Sequence, residues 1–399
     1  MPEELLDLKD LYLRCVRCGQ CRSVCPVFEE VRNEMAAPRS KVFLAHMLAN
    51  GEIKASKEAV SKLSLCLLCR ACTRECPSAI PVHSLVMAAR FLLARRVPSP
   101  VKKLVLRRIW TRPSLLALSV EIFRSCQKLR LFDIGISSRL LPPGFSLPGK
   151  LPDHVAQDLI PDVTPAAGKT KLRIGYFLGC STNLFFPQIG QITSAVLSRL
   201  GCEVVLPKDL KCCGLPMLDN GEGDLVGTLM SANQDAFRRF GVDTVVTDCA
   251  SCAAALKEHS TLKVLDFSGL LIDLVKSYGR DLKKIQKIVT YHDPCHLSRA
   301  LGITDEPREL LRLTCSEFRE MPGASGCCGG GGTFVLYNYN ISMGILNKKM
   351  SSVKETGAEA VATYCPTCIM QLRHGITKNK MDIAAVHPIQ LLYQSLCLN

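Results

Sequence analysis

Residues 172–180, LRIGYFLGC, and residues 287–295, KIVTYHDPC, each carry an apolar run directly into a cysteine. Both open the same series. Cys180 is followed 32 residues on by Cys212 and Cys213, then by Cys249-Ala-Ser-Cys252; Cys295 is followed 32 residues on by Cys327 and Cys328, then by Cys365-Pro-Thr-Cys368. Two sets of five cysteines in one register mark an internal duplication. A second short apolar run precedes each CxxC pair, DTVVTD at 243–248 and EAVATY at 359–364. Such runs read as buried strands, and helical patterns follow them. Strands alternating with helices imply two repeated α/β modules with mostly parallel sheets, in which the loops after the strands share one edge. Each set of five thiols is therefore expected to converge on one spot.

Upstream stand two further runs, CVRCGQCRSVCP at 15–26 and CLLCRACTRECP at 66–77. Both are the Cys-x2-Cys-x2-Cys-x3-Cys-Pro run of bacterial ferredoxins. Three thiolates two residues apart wrap three irons of one cubane, and the fourth, before proline, is turned toward the other cluster. By that rule Cys15, Cys18, Cys21 and Cys76 hold one [4Fe-4S] cluster, and Cys66, Cys69, Cys72 and Cys25 hold a second. The helix-like stretch KVFLAHMLAN lies between the runs. The fold class is thus α+β overall: a helical bi-cluster ferredoxin-like N-terminal domain, then the two α/β modules. Arg14, Arg17, Arg22, Arg70 and Arg74 lie among the ligands, and positive charge there is expected to raise the cluster potentials.

Composition narrows the class. The chain has 399 residues, 47% of them hydrophobic and 22 of them cysteine, which excludes disorder and a small disulfide scaffold. The opening MPEELLDLKD has no basic start and no apolar h-region, and no apolar run reaches bilayer length, so a cytoplasmic location or a peripheral one on the cytoplasmic membrane face is expected. In a reducing compartment, clustered cysteines read as metal ligands or redox groups. Between Arg90 and Lys150 stand 13 Lys or Arg against two acids, giving +11 of the whole-chain +14. This segment is rich in proline and reads as a connector with one or two short helices, its apolar stripe on Val101, Leu104, Val105 and Ile109. The expected units are 1–95, 96–165, 166–280 and 281–399.

Five thiols at one site exceed the four that a cubane or tetrahedral zinc requires, and adjacent cysteines point to two irons or a bridging thiolate. The series of C, CCG and CxxC resembles the cysteine-rich CCG domain. It occurs twice in catalytic subunits of heterodisulfide reductases and in iron-sulfur subunits of glycolate oxidase, lactate utilisation and anaerobic glycerol-3-phosphate dehydrogenase systems. The order of ferredoxin motifs, connector and two CCG modules matches that group over nearly the whole chain. The resemblance implies one or two noncubane [4Fe-4S] clusters, with Cys180, Cys212, Cys213, Cys249 and Cys252 as one ligand set and Cys295, Cys327, Cys328, Cys365 and Cys368 as the other. CCGGGGTF at 327–334 leans toward the glycolate oxidase branch, and the retention of both CxxC pairs toward the heterodisulfide reductases.

No flavin, nicotinamide or P-loop fingerprint is present, and Gly329 to Gly332 lacks the GxGxxG register. Glycine beside paired ligands instead lets backbone N–H groups approach sulfur. His292 and His296 flank Cys295 as candidate donors or proton carriers, with packed loop histidines as the alternative. Cys126, Cys202, Cys315 and Cys397 fit no ligand register. No catalytic residue is assigned. The leading expectation is an iron-sulfur subunit of a flavin-dependent glycolate or D-lactate dehydrogenase, taking electrons from an FAD subunit and passing them to a quinone or other acceptor. A heterodisulfide reductase-like subunit is the alternative, and a zinc scaffold a third reading. The basic segment, with Trp110 as its anchor, suits an anionic membrane surface or an acidic partner; no nucleic-acid motif accompanies it.

Overall fold

The computed structural model describes residues 8–128, 151–279 and 282–396. Expectations for 129–150 and for Cys397 fall outside them.

The N-terminal domain is helical. Helices Pro38–Ala49, Lys57–Ser64 and Val82–Arg96 pack around Tyr12, Val42, Ala45, Leu63, Leu85 and Val86. Local signals set their starts: Pro38 occupies the first turn, and the Ser56 hydroxyl caps Lys57–Ser64 by accepting from the Ala59 N–H at 3.2 Å. Both cysteine runs use one backbone device. Arg17 and Gly19 in the first, and Leu68 and Arg70 in the second, have φ of 56°, 84°, 53° and 60°. These left-handed turns stand at the same two positions of each run and bend its thiols toward a common centre.

Two sheets follow. The first comprises β1 (Val163–Thr164), β2 (Leu172–Tyr176), β3 (Cys202–Val205), β4 (Thr244–Val246) and β5 (Lys263–Val264), in the order β1-β3-β2-β4-β5. The second comprises β6 (Ile285–Tyr291), β7 (Cys315–Phe318), β8 (Ala360–Ala362) and β9 (Ala384–Val386), in the order β7-β6-β8-β9. All pairings are parallel except β1 with β3. Without β1 the two sheets have the same strand order, so the duplicated cysteine register is a duplicated topology. Tyr176 and Tyr291 end the equivalent strands β2 and β6, both fully buried. Cys202 and Cys315 open the equivalent strands β3 and β7, also buried, and serve packing.

The connector departs from its reading in three respects. Its helix Pro113–Lys128 is long, and packs Val120, Leu116 and Phe123 against Leu184 of the first module. Its end supplies β1, so the first sheet begins at Val163. The stripe on Val101 and Leu104 faces solvent, 73% and 57% exposed, while Leu106 is buried. The cause is a π-turn at Val105–Ile109, whose extra residue per turn shifts the 3.6-residue register. Among the described residues no helix is long and apolar enough to cross a membrane.

Candidate iron-sulfur sites

In the N-terminal domain the thiols of each run meet the last cysteine of the other. Cys15, Cys18, Cys21 and Cys76 line one recess, closed by Arg39, Val42 and Ile80. Cys25, Cys66, Cys69 and Cys72 line a second, beside Lys41 and His83, and Val82 lines both. Cys18 is exposed, whereas Cys69 is buried, so the pair of recesses runs from the surface inward. Proline after the last cysteine fixes this exchange: Cys25 caps helix Pro26–Val31 and its Sγ accepts from Phe28 N–H at 3.4 Å.

Each CCG module gathers its five thiols at the ends of its strands. In the first, Cys180 reaches Cys212, Cys213 reaches Cys252, and Cys252 reaches Cys249. In the second, Cys328 Sγ lies 3.7 Å from Cys368 Sγ, Cys368 reaches Cys365, and Cys295 lies beside Cys327 and Cys328. Glycine makes room for them. A Cβ on Gly179 would stand 2.9 Å from Cys252 Sγ, and Gly329, with φ of 84°, donates its N–H to Cys327 Sγ at 3.4 Å.

The four thiol groups form one line whose order differs from the sequence. Cys69 of the second recess touches Cys327 of the second module. Arg299 fastens that junction, donating to the Cys69 carbonyl at 3.0 Å and the Ser325 carbonyl at 2.5 Å. Val27, Leu67, Ala71, Phe334 and Ile345 form a shared apolar core around it. Cys365 in turn touches Cys249 of the first module, where Ala250 N–H donates to the Tyr364 carbonyl at 2.8 Å. The N-terminal domain therefore meets the second module's thiols directly, and the first module's set lies beyond them.

The donor chemistry fits iron-sulfur clusters. Among the described residues every cysteine is free, and the 3.7 Å sulfur separation is far beyond the roughly 2.05 Å of a disulfide. Buried neutral thiols packed against one another gain little, whereas thiolates balanced by metal repay their desolvation. Burial pushes the Cys25 thiol up to about 11 despite the Lys41 charge, and hydrogen bonds from Cys212 and Cys252 hold Cys213 down at about 5.

Other candidates resolve differently. A ring nitrogen of His292 lies within 4.8 Å of the Cys328 and Cys368 sulfurs, and its Nδ1 has no hydrogen-bond partner among the described residues. His296 Nδ1 is instead 3.0 Å from Ser251 Oγ, which lies 3.6 Å from Cys365 Sγ. Of the arginines near the cubane recesses, Arg22 pairs with Glu34 and Arg70 with Glu258, while Arg14 donates to the Ser78 carbonyl and Arg74 faces solvent. Lys41, only 2% exposed, also lines the second recess, and its charge acts on Cys25. It sits in the run KVFLAHMLAN, and its position one helical turn past Pro38 was the available signal. Trp110 turns inward, lining a recess with Cys180 and Cys212, so it does not anchor the connector to an outside surface.

Comparison with known proteins agrees with this inventory. Residues 12–80 match the family described as a 4Fe-4S dicluster domain, and residues 174–257 and 289–373 each match the Cysteine-rich domain. The probable glycolate oxidase iron-sulfur subunit of Bacillus subtilis is 30% identical, over 98% of this chain and 96% of its own length. A fumarate reductase (CoM/CoB) subunit of Methanothermobacter marburgensis is 29% identical, over 98% of this chain and 73% of its own. A dihydromethanophenazine:CoB–CoM heterodisulfide reductase subunit of Methanosarcina mazei is 26% identical, over 96% and 94%. With one dicluster domain, two CCG thiol sets and a relative matched almost end to end, the chain belongs to this family of iron-sulfur oxidoreductase subunits.

Proposed function

We propose that the chain is the electron-relaying subunit of a flavin-dependent glycolate or D-lactate dehydrogenase, receiving electrons from an FAD subunit and delivering them to a quinone or another acceptor. The observation that carries this reading is the single line of thiols from exposed Cys18 to the set at half-buried Cys180 and buried Cys252. Cys15, Cys18, Cys21 and Cys76 would hold one cubane, and Cys25, Cys66, Cys69 and Cys72 the other. The five thiols of each CCG module would hold a noncubane [4Fe-4S] cluster. Such clusters supply one-electron redox chemistry.

The chain's own residues do the rest. Arg299 and the core around Phe334 hold the second recess against the second module. The Cys249 and Cys365 contact, backed by Ala250 N–H, holds the two modules face to face. At the outermost recess Cys18 is exposed, and the exposed Leu13, Val16 and Phe43 of the same domain offer a partner its docking surface. Purification with the native flavoprotein is the test: about 16 irons per chain and glycolate- or lactate-dependent bleaching are expected. A colourless zinc protein, or a native complex without flavin, overturns the reading.

A second reading has its own support. Both five-thiol sets are complete and meet at Cys249 and Cys365, an arrangement suited to two clusters acting on one substrate, as in cleavage of a disulfide. Reoxidation of the reduced protein by an organic disulfide would favour it over the relay.

A further inference from the structure

One large space belongs to none of the four thiol groups. A cavity of about 430 Å³ lies where the N-terminal domain, the start of the connector and loops of both modules meet. Cys66, Leu67 and Leu68 line both this cavity and the recess that Cys66 shares with Cys25, Cys69 and Cys72. Its deep surface is apolar, with Leu67, Leu93 and Phe334 all buried. Its rim is exposed, with Lys57, Val60, Ser61 and Tyr337.

The polar groups discriminate among ligands. Arg90 lines the cavity, but its guanidinium is spent on the carbonyls of Leu63, Cys66 and Asp219, at 2.7 to 3.3 Å. Glu222 is buried and held by Arg107 at 2.5 Å. Asp219 presents a carboxyl that takes no hydrogen bond from any described residue, and it stands 3.4 Å from where a Cβ on Gly332 would lie. An anionic hydroxyacid is best held by a free cationic fork, and here that fork is occupied while a carboxyl faces the space; the cation left besides Lys57 at the rim is the Lys102 ammonium, whose charged form burial disfavours. A flat, neutral, apolar molecule that accepts protons fits better.

We propose that this cavity is a quinone site, taking a lipophilic quinone-class carrier beside the cubane held by Cys25, Cys66, Cys69 and Cys72. The inference rests on the relay reading and names its acceptor site. The balance is simple: the quinone gains two electrons, delivered singly from the reduced iron-sulfur centre, and two protons, so both carbonyls become hydroxyls. Asp219 supplies one proton and is recharged from solvent; the other comes from water at the rim. Burial pushes the Asp219 carboxyl up to about 7, against the pull of Arg90 and Arg70, which suits a group that gives and regains a proton near neutrality. The neighbourhood of the rim suits a membrane-borne ligand: Val101 and Leu104 are exposed next to Lys102 and Lys103 in the chain, and Val60 and Tyr337 are exposed at the rim itself.

The test uses the full, cluster-loaded chain. Menadione in buffer and decylubiquinone in phosphatidylglycerol-containing vesicles are titrated onto the oxidised protein by calorimetry. Reoxidation of dithionite-reduced protein by each is then followed by stopped flow. One saturable site per chain is expected. Ser61→Trp, which fills the cavity from the rim, should weaken binding and slow reoxidation by about tenfold or more while iron content and EPR spectra stay unchanged. Asp219→Asn should bind as the parent does and reoxidise more slowly by about tenfold or more. Equal binding and equal reoxidation in Ser61→Trp and the parent would overturn the site and leave a quinone acceptor standing. No reoxidation of the parent by either quinone would overturn the site together with the quinone arm of the relay. Because dithionite supplies the electrons, a missing flavoprotein affects neither outcome. Faster reaction with vesicles than with menadione identifies the membrane-borne source, and the reverse a water-borne one.

Discussion

Arg17, Leu68 and Arg70 stand in a conformation that costs a side-chain-bearing residue about 1–2 kcal/mol. They tolerate it because the turn aims thiols, and a metal cluster held there would over-determine the geometry. Arg17 is exposed, so the cost can be isolated there. Arg17→Gly should raise the stability of the cluster-loaded protein by about 0.5–1 kcal/mol, and Arg17→Val should lower it by a similar amount, both read by denaturant titration. Lys41 offers a second residue-scale expectation. Its buried charge lies beside Cys25 and favours the more negative, reduced state of the adjoining cluster. Lys41→Met keeps the length of the side chain, and should lower that cluster's potential by on the order of 30–60 mV. In an EPR-monitored titration the other centres should stay where they are.

Among the elements, the duplicated strand–cysteine–helix unit is where reading and structure correspond best. The registers Cys180 to Cys212 and Cys295 to Cys327 are local, and the strands before them carry enough Val, Ile and Tyr to be recognised. Spacing on one strand-end is a property of the chain itself. Contacts between units are not, and that is why Lys41, Arg90 and Arg299 escaped notice: each is an ordinary cation in sequence, and gains its role from a carbonyl or thiol on a distant segment. The π-turn at Val105–Ile109 was invisible for a related reason, since a 3.6-residue periodicity presumes the helix it is testing. Gly179 tests the element directly. A methyl there would press on Cys252 Sγ from 2.9 Å. Gly179→Ala should cost about 1–3 kcal/mol and release iron from the first module's set, leaving the ferredoxin-type EPR signals intact.

At the scale of the whole molecule, thiol groups stand among the apolar side chains of the interfaces. Cys25, Cys69, Cys295 and Cys327 belong to the seam between the N-terminal domain and the second module, and Cys249 and Cys365 to the seam between modules. Cluster loss should therefore loosen domains as well as abolish redox activity. Stripping the clusters with ferricyanide and EDTA should lower the melting temperature by on the order of 10 °C or more. It should also raise hydrogen exchange in the segments 64–72, 249–253 and 325–330 before exchange rises in the sheets. Uniform exchange across the chain would contradict this account.

The spatial order of the thiol groups also bears on how the protein is made. Cys69 leaves the ribosome 258 residues ahead of Cys327, its partner across the seam, a lag of roughly 13–50 s at ordinary rates of synthesis. Throughout that interval the nascent N-terminal domain shows the apolar face of Leu67 and Ala71, and the Cys249 end of the first module, once made, stays uncovered until Cys365 follows 116 residues later. Such a chain gains from early metallation of its first two sites and from a chaperone resting on that face until residues 327–345 arrive.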